Sequence, residues 1–376
     1  MECPNVSGME TEMGITYWFL FFTAAFKSMH ASNTLSSKNY NKNGIIISWW
    51  HVCFIVIVLL IGFRFEVGGD WGTYIELAES TKNRSFDSIF SNLRNDVSYQ
   101  LINWLGQNLG GGIYLVNLIC AIFFSWGLTK FCRTLPRPWL ALVIAIPYLL
   151  IVVAMGYSRQ GIAIGISLLA ISALMQNKNI QFVAWILFAA TFHKSSAILL
   201  PIAFLSFGKK GISQLISLIL IAAIFFVVMI QESAEAIVEN YILTDQQSSG
   251  APVRLAMNAL AAIIFLLYRN RFHLSKFQES FWTNISWTSF GFVVLLFILP
   301  SSIALDRIAL YWIPLQLLVW SKFPDIMGKS YSLNRKWVLL VCLYSAAVLF
   351  VWLYFASHSS SWIPYKFYLW ELLWLK

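Results

Sequence analysis

Apolar runs that reach, or nearly reach, the length of a bilayer span recur along almost the whole chain. They fall at about 14–28, 44–62, 111–130, 138–155, 159–175, 180–193, 195–207, 212–230, 252–268, 283–300, 303–321 and 337–356. A helix needs about 20 apolar residues to cross the hydrocarbon core. The pattern therefore restricts the fold to an all-α, polytopic integral membrane protein of about 12 transmembrane helices, read as one membrane domain over 1–376. Composition agrees. Of 376 residues, 59% are hydrophobic and 11% charged, against roughly 25% charged in soluble domains. The formal charge of +9 is accordingly read by position and not as a nucleic-acid footprint.

Two of the runs are broken. Segments 180–193 and 195–207 are parted only at "HKS", and 138–155 and 159–175 turn over at "GYSRQG". Interrupted segments let non-helical backbone line a cavity at membrane depth. Most basic residues fall in alternate loops if the N-terminus is outside, among them Lys130, Arg133, Arg137, Lys178, Lys209 and Lys210, as the positive-inside rule requires. Two long outer loops follow, at 63–110 and 231–251, with an aromatic interfacial tail at 357–376. In the first loop Phe86, Ile89, Phe90, Leu93, Val97, Leu101 and Leu105 recur at steps of three and four, which predicts an amphipathic helix on the membrane surface. The loop at 231–251 is a mobile lid, a ligand-binding segment or a plain solvated loop. The acidic start (Glu2, Glu10, Glu12) has the wrong sign for a cleavable signal peptide. The five cysteines have no metal-ligand spacing and read as small apolar groups. No internal repeat is visible.

Apart from the inner loops, a short set of charged groups sits at the expected outer ends of spans: Arg64, Glu66, Asp70, Arg159, His193, Lys194, Arg254, Asp306 and Arg307. Arg64, Arg159, Lys194, Arg254 and Arg307 are cations placed against the positive-inside tendency. Snorkelling, or pairing with Glu66 or Asp306, accounts for any one of them. Together they point to an anionic ligand. A pyrophosphate suits them better than a single carboxylate, because guanidinium forks match phosphate oxygens. Asp70 follows Gly68-Gly69 and has two readings. It is the N-cap of a short helix starting at Trp71, or a base that takes a proton from a substrate hydroxyl. His193 is an interfacial hydrogen-bonding residue or a second base. No HExxH, HxxxH or DxD motif is present, so no metal or cofactor is expected and the arginines would carry the phosphate charge.

Four stretches, "RFEVGGDWGTY" (64–74), "YSRQGIAIGI" (157–166), "FHKSSAILLPIAF" (192–204) and "DRIALYWIPL" (306–315), together resemble the EpsG-like branch of the Wzy O-antigen and exopolysaccharide polymerases. The resemblance carries the family's glycine-aspartate-tyrosine element onto Gly69, Asp70 and Tyr74, and the arginine ahead of it onto Arg64. It carries Arg-Gln onto Arg159-Gln160, and His-Lys-Ser onto His193, Lys194 and Ser195. The last arginine before a tyrosine falls on Arg307, with Tyr311. The family's outer-loop glutamate, followed by glycine and an aromatic, is faced only by "NDVSYQLINWL", with Asp96 and no glycine. Asp96 is therefore left out of the expected site.

The resemblance implies a GT-C-like glycosyltransferase architecture in a bacterial cytoplasmic (inner) membrane, with the site facing the periplasm. It implies metal-independent transfer of a glycan from undecaprenyl pyrophosphate onto the non-reducing end of a second lipid-linked repeat. It also implies a Wzz-like chain-length regulator and a Wzx-like flippase as partners. On this reading Asp70 is the catalytic base and His193 the second choice. Arg64, Arg159, Arg307 and Lys194 hold the leaving pyrophosphate. Tyr74, Tyr157, Tyr311 and Gln160 contact the sugars, and direct attack inverts the anomeric carbon. The rivals are an O-antigen ligase using the same donor, a flippase for lipid-linked oligosaccharides that does no chemistry, and a surface-glycan acyltransferase.

Overall fold

The computed structural model describes residues 14–31, 49–90, 96–206, 248, 250–299, 302–329 and 332–374. Among them there is no strand, only an isolated bridge between Arg64 and Phe367. The helices, in order, are α1 (Ile15–His30), α2 (Trp49–Gly62), α3 (Trp71–Glu79), α4 (Phe86–Phe90), α5 (Val97–Asn108), α6 (Gly112–Thr134), α7 (Pro138–Ala145), α8 (Ser158–Met175), α9 (Asn179–Phe192), α10 (Leu199–Ser206), α11 (Ala251–Tyr268), α12 (Lys276–Ile298), α13 (Ile303–Ala309), α14 (Ile313–Met327), α15 (Arg335–Phe355) and α16 (Tyr368–Trp374). Among the described residues, six stretches are long and apolar enough to cross a membrane: α6, α8, Ala251–Phe272, α12, Ile303–Met327 and α15. Four shorter apolar helices accompany them, at Trp49–Gly62, Pro138–Ala154, Asn179–Phe192 and Lys194–Ser206. Each expected span therefore coincides with a helix, except 212–230. That segment lies outside the described residues, as does most of the loop 231–251.

The bundle is built around α8, of which 89% is buried in its most apolar window. Its sequence explains this position. Gly, Ala and Ser recur along it, and small residues let helix backbones approach closely where lipid supplies no hydrophobic drive. The approach is closest to α6, where a Cβ added to Gly127 would lie 1.8 Å from the Gly165 carbonyl oxygen. At the periphery, α11, α12 and α15 leave most of their surface uncovered. Large apolar side chains there, such as Leu267, Phe297 and Phe355, form the face left to lipid.

Two helix breaks set the site. After α7 the chain continues as a wide, i→i+5 wound turn over Ile146–Ala154. Pro147 in its first turn has no N–H to give, and such winding is associated with functional positions. The helix then ends, and Tyr157 (φ −121, ψ 69) starts α8. The second break is His193, fully extended at φ −158, ψ 112, after which a 3₁₀ turn over Lys194–Ile198 leads into α10. Since α8 begins and α9 ends at the same end of the bundle, both breaks open there.

The surface helix expected at 63–110 is instead several short helices, α3, α4 and α5. Leu93 lies outside the described residues. Val97, Leu101 and Leu105 are half-buried, whereas Tyr99, Gln100, Ile102, Asn103 and Gly106 are the face that is buried. Helix α5 is thus rotated so that its mixed polar and aromatic face packs into the bundle.

Candidate active site

Residues 63–71 fold back over the end of the bundle, and Arg64 holds them there. It is only 1% exposed. Its guanidinium donates to the carbonyl oxygens of Ile61 (2.7 Å) and Val67 (3.2 Å), to Ser158 Oγ (2.6 Å) and to Asn117 Oδ1 (3.1 Å). It also lies over the Trp71 ring. A buried guanidinium is tolerated when its donors are used in this way. The result ties the loop to α6 and to the first residue of α8. Gly68 completes the turn at φ +111, and a Cβ there would stand 2.7 Å from the Met155 carbonyl oxygen, so no side chain fits. The following residue but one, Asp70, is delivered next to the Tyr157–Arg159 corner.

Asp70 occupies the N-cap position of α3, and Asp96 that of α5, yet neither side chain makes a capping hydrogen bond. Both carboxylates face the cations instead. Asp96 Oδ2 lies 3.2 Å from an Arg159 terminal nitrogen and 3.9 Å from His193 Nδ1, and the carboxylate accepts from the Lys194 backbone N–H. Burial pushes the Asp96 carboxyl up to about 6, even against the pull of Arg159 and Lys194. Burial also raises Asp70, opposed by Arg307 and then Arg159. His193 goes the other way. Burial first, then Arg159 and Arg307, lower it to about 3. The imidazole is therefore neutral, and its contact with Asp96 is not an ion pair.

Tyrosines and an amide frame these charges. The buried Tyr74 phenol oxygen accepts from the Arg159 backbone N–H, one of the donors that a helix start leaves unused. Gln160 Nε2 donates to the Arg307 carbonyl oxygen at 2.6 Å. The buried hydroxyls of Tyr311 and Ser196 have no partner among the described residues, and Tyr311 is within electrostatic reach of Asp96.

Of the expected site residues, the structure thus brings together Asp70, Tyr74, Arg159, Gln160, His193, Lys194, Arg307 and Tyr311. Tyr157 stands at their edge, within reach of Asp70, Arg307 and Arg254. Arg64 is placed behind the cluster, its donors turned to backbone and to α6 and α8, which makes it a clamp and not a phosphate ligand. Arg254 makes a two-point ion pair with Asp306, and Ser248 Oγ bonds to both partners. Asp96, discounted in the sequence for want of a following glycine, is the carboxylate closest to Arg159 and His193. Trp362, read as an interfacial aromatic, lies beneath the loop that carries Asp70.

A bundle of apolar helices, centred on a small-residue helix and carrying clustered charges at its ends, defines a polytopic membrane protein. The chain belongs to the EpsG family, whose model matches residues 47–367. That range contains all four motif stretches. Membership supports a polysaccharide-polymerase-like function in the broad sense. No curated protein and no solved structure matches the chain.

Proposed function

We propose that this protein joins lipid-linked glycan repeats, moving a glycan from undecaprenyl pyrophosphate onto the non-reducing end of a second repeat at the periplasmic face of a bacterial inner membrane. The acceptor hydroxyl loses its proton to Asp96 as its oxygen attacks the anomeric carbon. The bond from that carbon to the pyrophosphate oxygen breaks, and the carrier leaves as undecaprenyl pyrophosphate. Attack from the face opposite the leaving group inverts the anomeric centre. Arg159, Arg307 and Lys194 stabilise the departing pyrophosphate, a role in which one preorganised donor contributes roughly 3 kcal/mol. Asp70, more open than Asp96, orients the acceptor sugar, with Tyr74, Tyr157, Tyr311 and Gln160 around it. Neutral His193 hydrogen-bonds without adding charge.

The observation that carries this reading is the Arg159–Asp96 pair. Its arginine side chain is 40% exposed while its carboxylate is 11% exposed. A base whose pKa lies near the working pH balances ionisation against basicity, and the cation beside it stays open to a ligand.

The test is reconstitution in nanodiscs with one defined undecaprenyl-pyrophosphate repeat, no nucleotide sugar and a chelator present. A ladder of lipid-linked oligomers is expected. Transfer only to added lipid A core would make the protein a ligase, and glycan translocation without product would make it a flippase. A strict requirement for a divalent cation would remove the arginine account.

A further inference from the structure

Trp362 belongs to a segment that the sequence marks as a membrane anchor, yet it is 2% exposed. Its indole N–H donates to the Ile151 carbonyl oxygen at 2.9 Å, inside the widened turn. Its own carbonyl oxygen accepts from the buried Tyr17 hydroxyl at 2.8 Å. The benzo ring of the indole is packed against two glycines. A Cβ on Gly156 would meet Trp362 Cζ2 at 2.3 Å, and one on Gly69 would meet the same ring at 3.8 Å. Each of these glycines immediately precedes a candidate site residue, Tyr157 in one case and Asp70 in the other. Around the ring, the Gly68 N–H donates to the Ser361 carbonyl oxygen (2.8 Å), Phe65 N–H to that of Lys366 (3.0 Å) and Tyr368 N–H to that of Phe63 (2.7 Å).

We infer that Trp362 is a positioning residue: its indole is the spacer that sets Asp70 against the Tyr157–Arg159 corner, so that residues 361–368 form part of the catalytic apparatus. This rests on the polymerase reading above. Trp362 touches no substrate in this account. It acts through the two backbones it separates. A ring held by a hydrogen bond at its indole nitrogen and by glycine contacts at its benzo carbons has little room to shift, and a displacement of about 1 Å at a group that orients the substrate costs on the order of a hundredfold in rate.

The experiment compares Trp362→Phe, Trp362→Ala, Gly156→Ala and the double variant Gly156→Ala/Trp362→Phe. Each is assayed for polymerisation kcat and KM and for hydrogen exchange over 63–72. Trp362→Ala is expected to speed exchange at Gly68 and Phe65 and to lower kcat on the order of a hundredfold with KM unchanged. Trp362→Phe, a milder change that keeps a ring, gives an intermediate loss. Gly156→Ala pushes the indole away and behaves like Trp362→Ala. Adding Trp362→Phe, whose ring stops short of the new methyl, recovers part of both exchange protection and kcat, and such non-additivity is the mark of direct contact. Wild-type exchange over 63–72 in Trp362→Ala, or a double variant no better than Gly156→Ala alone, overturns the inference. If the wild-type protein makes no polymer, the polymerase reading falls. The exchange pattern and its second-site recovery still decide whether Trp362 seats the Asp70 loop.

Discussion

Both ends of the bundle carry an arginine paired with an aspartate, and the two pairs differ in how completely they are closed. At one end Arg137 grips Asp325 through two nitrogens, at 2.7 and 3.3 Å, with both side chains almost wholly buried. Two further N–H groups donate to the carbonyl oxygens of Ser332 and Leu333. At the other end Arg159 meets Asp96 at 3.2 Å, and its side chain is left 40% exposed. The first arrangement joins α7, α14 and the loop before α15, and offers no surface to a ligand. The second leaves a cation facing outward beside a buried carboxylate. An arginine in a membrane protein is a fastening where acceptors surround it and a binding group where they do not.

The largest effects should separate these two roles. Arg137→Ala strands Asp325 in the bundle, which costs about 3–5 kcal/mol for a buried pair. Thermal unfolding in detergent should show that loss, with activity per folded molecule preserved. Arg159→Ala should do the reverse. Polymerisation falls by about 10²–10³-fold, and the thermal midpoint hardly moves because an open pair adds little. An Arg137 variant as stable as wild type would break the comparison.

Asp96→Asn sharpens it. Polymerisation should fall by about 10²–10⁴-fold, and by less for Asp70→Asn. Wild-type activity should decline as pH drops through about 6, where burial has placed the Asp96 carboxyl. Stability has the opposite sign. Asp96 in the unfolded chain ionises near its ordinary value of 3.8, and in the fold only near 6. Its contribution is therefore full below 3.8 and is lost as pH rises through 6. At neutral pH the Asn variant should melt no lower than wild type, and a sharply lower midpoint would return Asp96 to a structural role.

Smaller effects test the clamp. Arg64→Lys loses the fork that reaches both backbone and α8, at about 1–3 kcal/mol, with donor KM unchanged. A raised donor KM would restore Arg64 as a phosphate ligand. Smallest is Lys366→Ala, which removes a 2.7 Å pair with Glu66 at the surface and should cost at most about 1 kcal/mol.

The helices were legible because hydrocarbon length leaves a periodic mark of its own, and both helix breaks lay where "HKS" and "GYSRQG" interrupt that mark. That the candidate residues would lie together was largely legible too, because cations at the wrong end of a span need a reason. What a linear reading lacks is the inventory of acceptors around each charge. Arg64 and Arg159 look alike as letters. Only the fold shows that Ile61, Val67, Asn117 and Ser158 surround the first. Asp96 was passed over because a motif was sought next to it, when its partners lie near residues 159 and 193. Trp362 was passed over because aromatics at an interface have a sufficient general explanation.

The pairing of 63–68 with 361–368 also has a consequence for biogenesis. Chains emerge from the ribosome and fold from the N-terminal side onward, so Asp70 enters the membrane region long before its spacer has been synthesised. Throughout insertion of the intervening helices the loop stands without its seat. The loop that carries Asp70 gains these backbone partners only when translation has passed residue 368, so a partly inserted chain holds that carboxylate unseated.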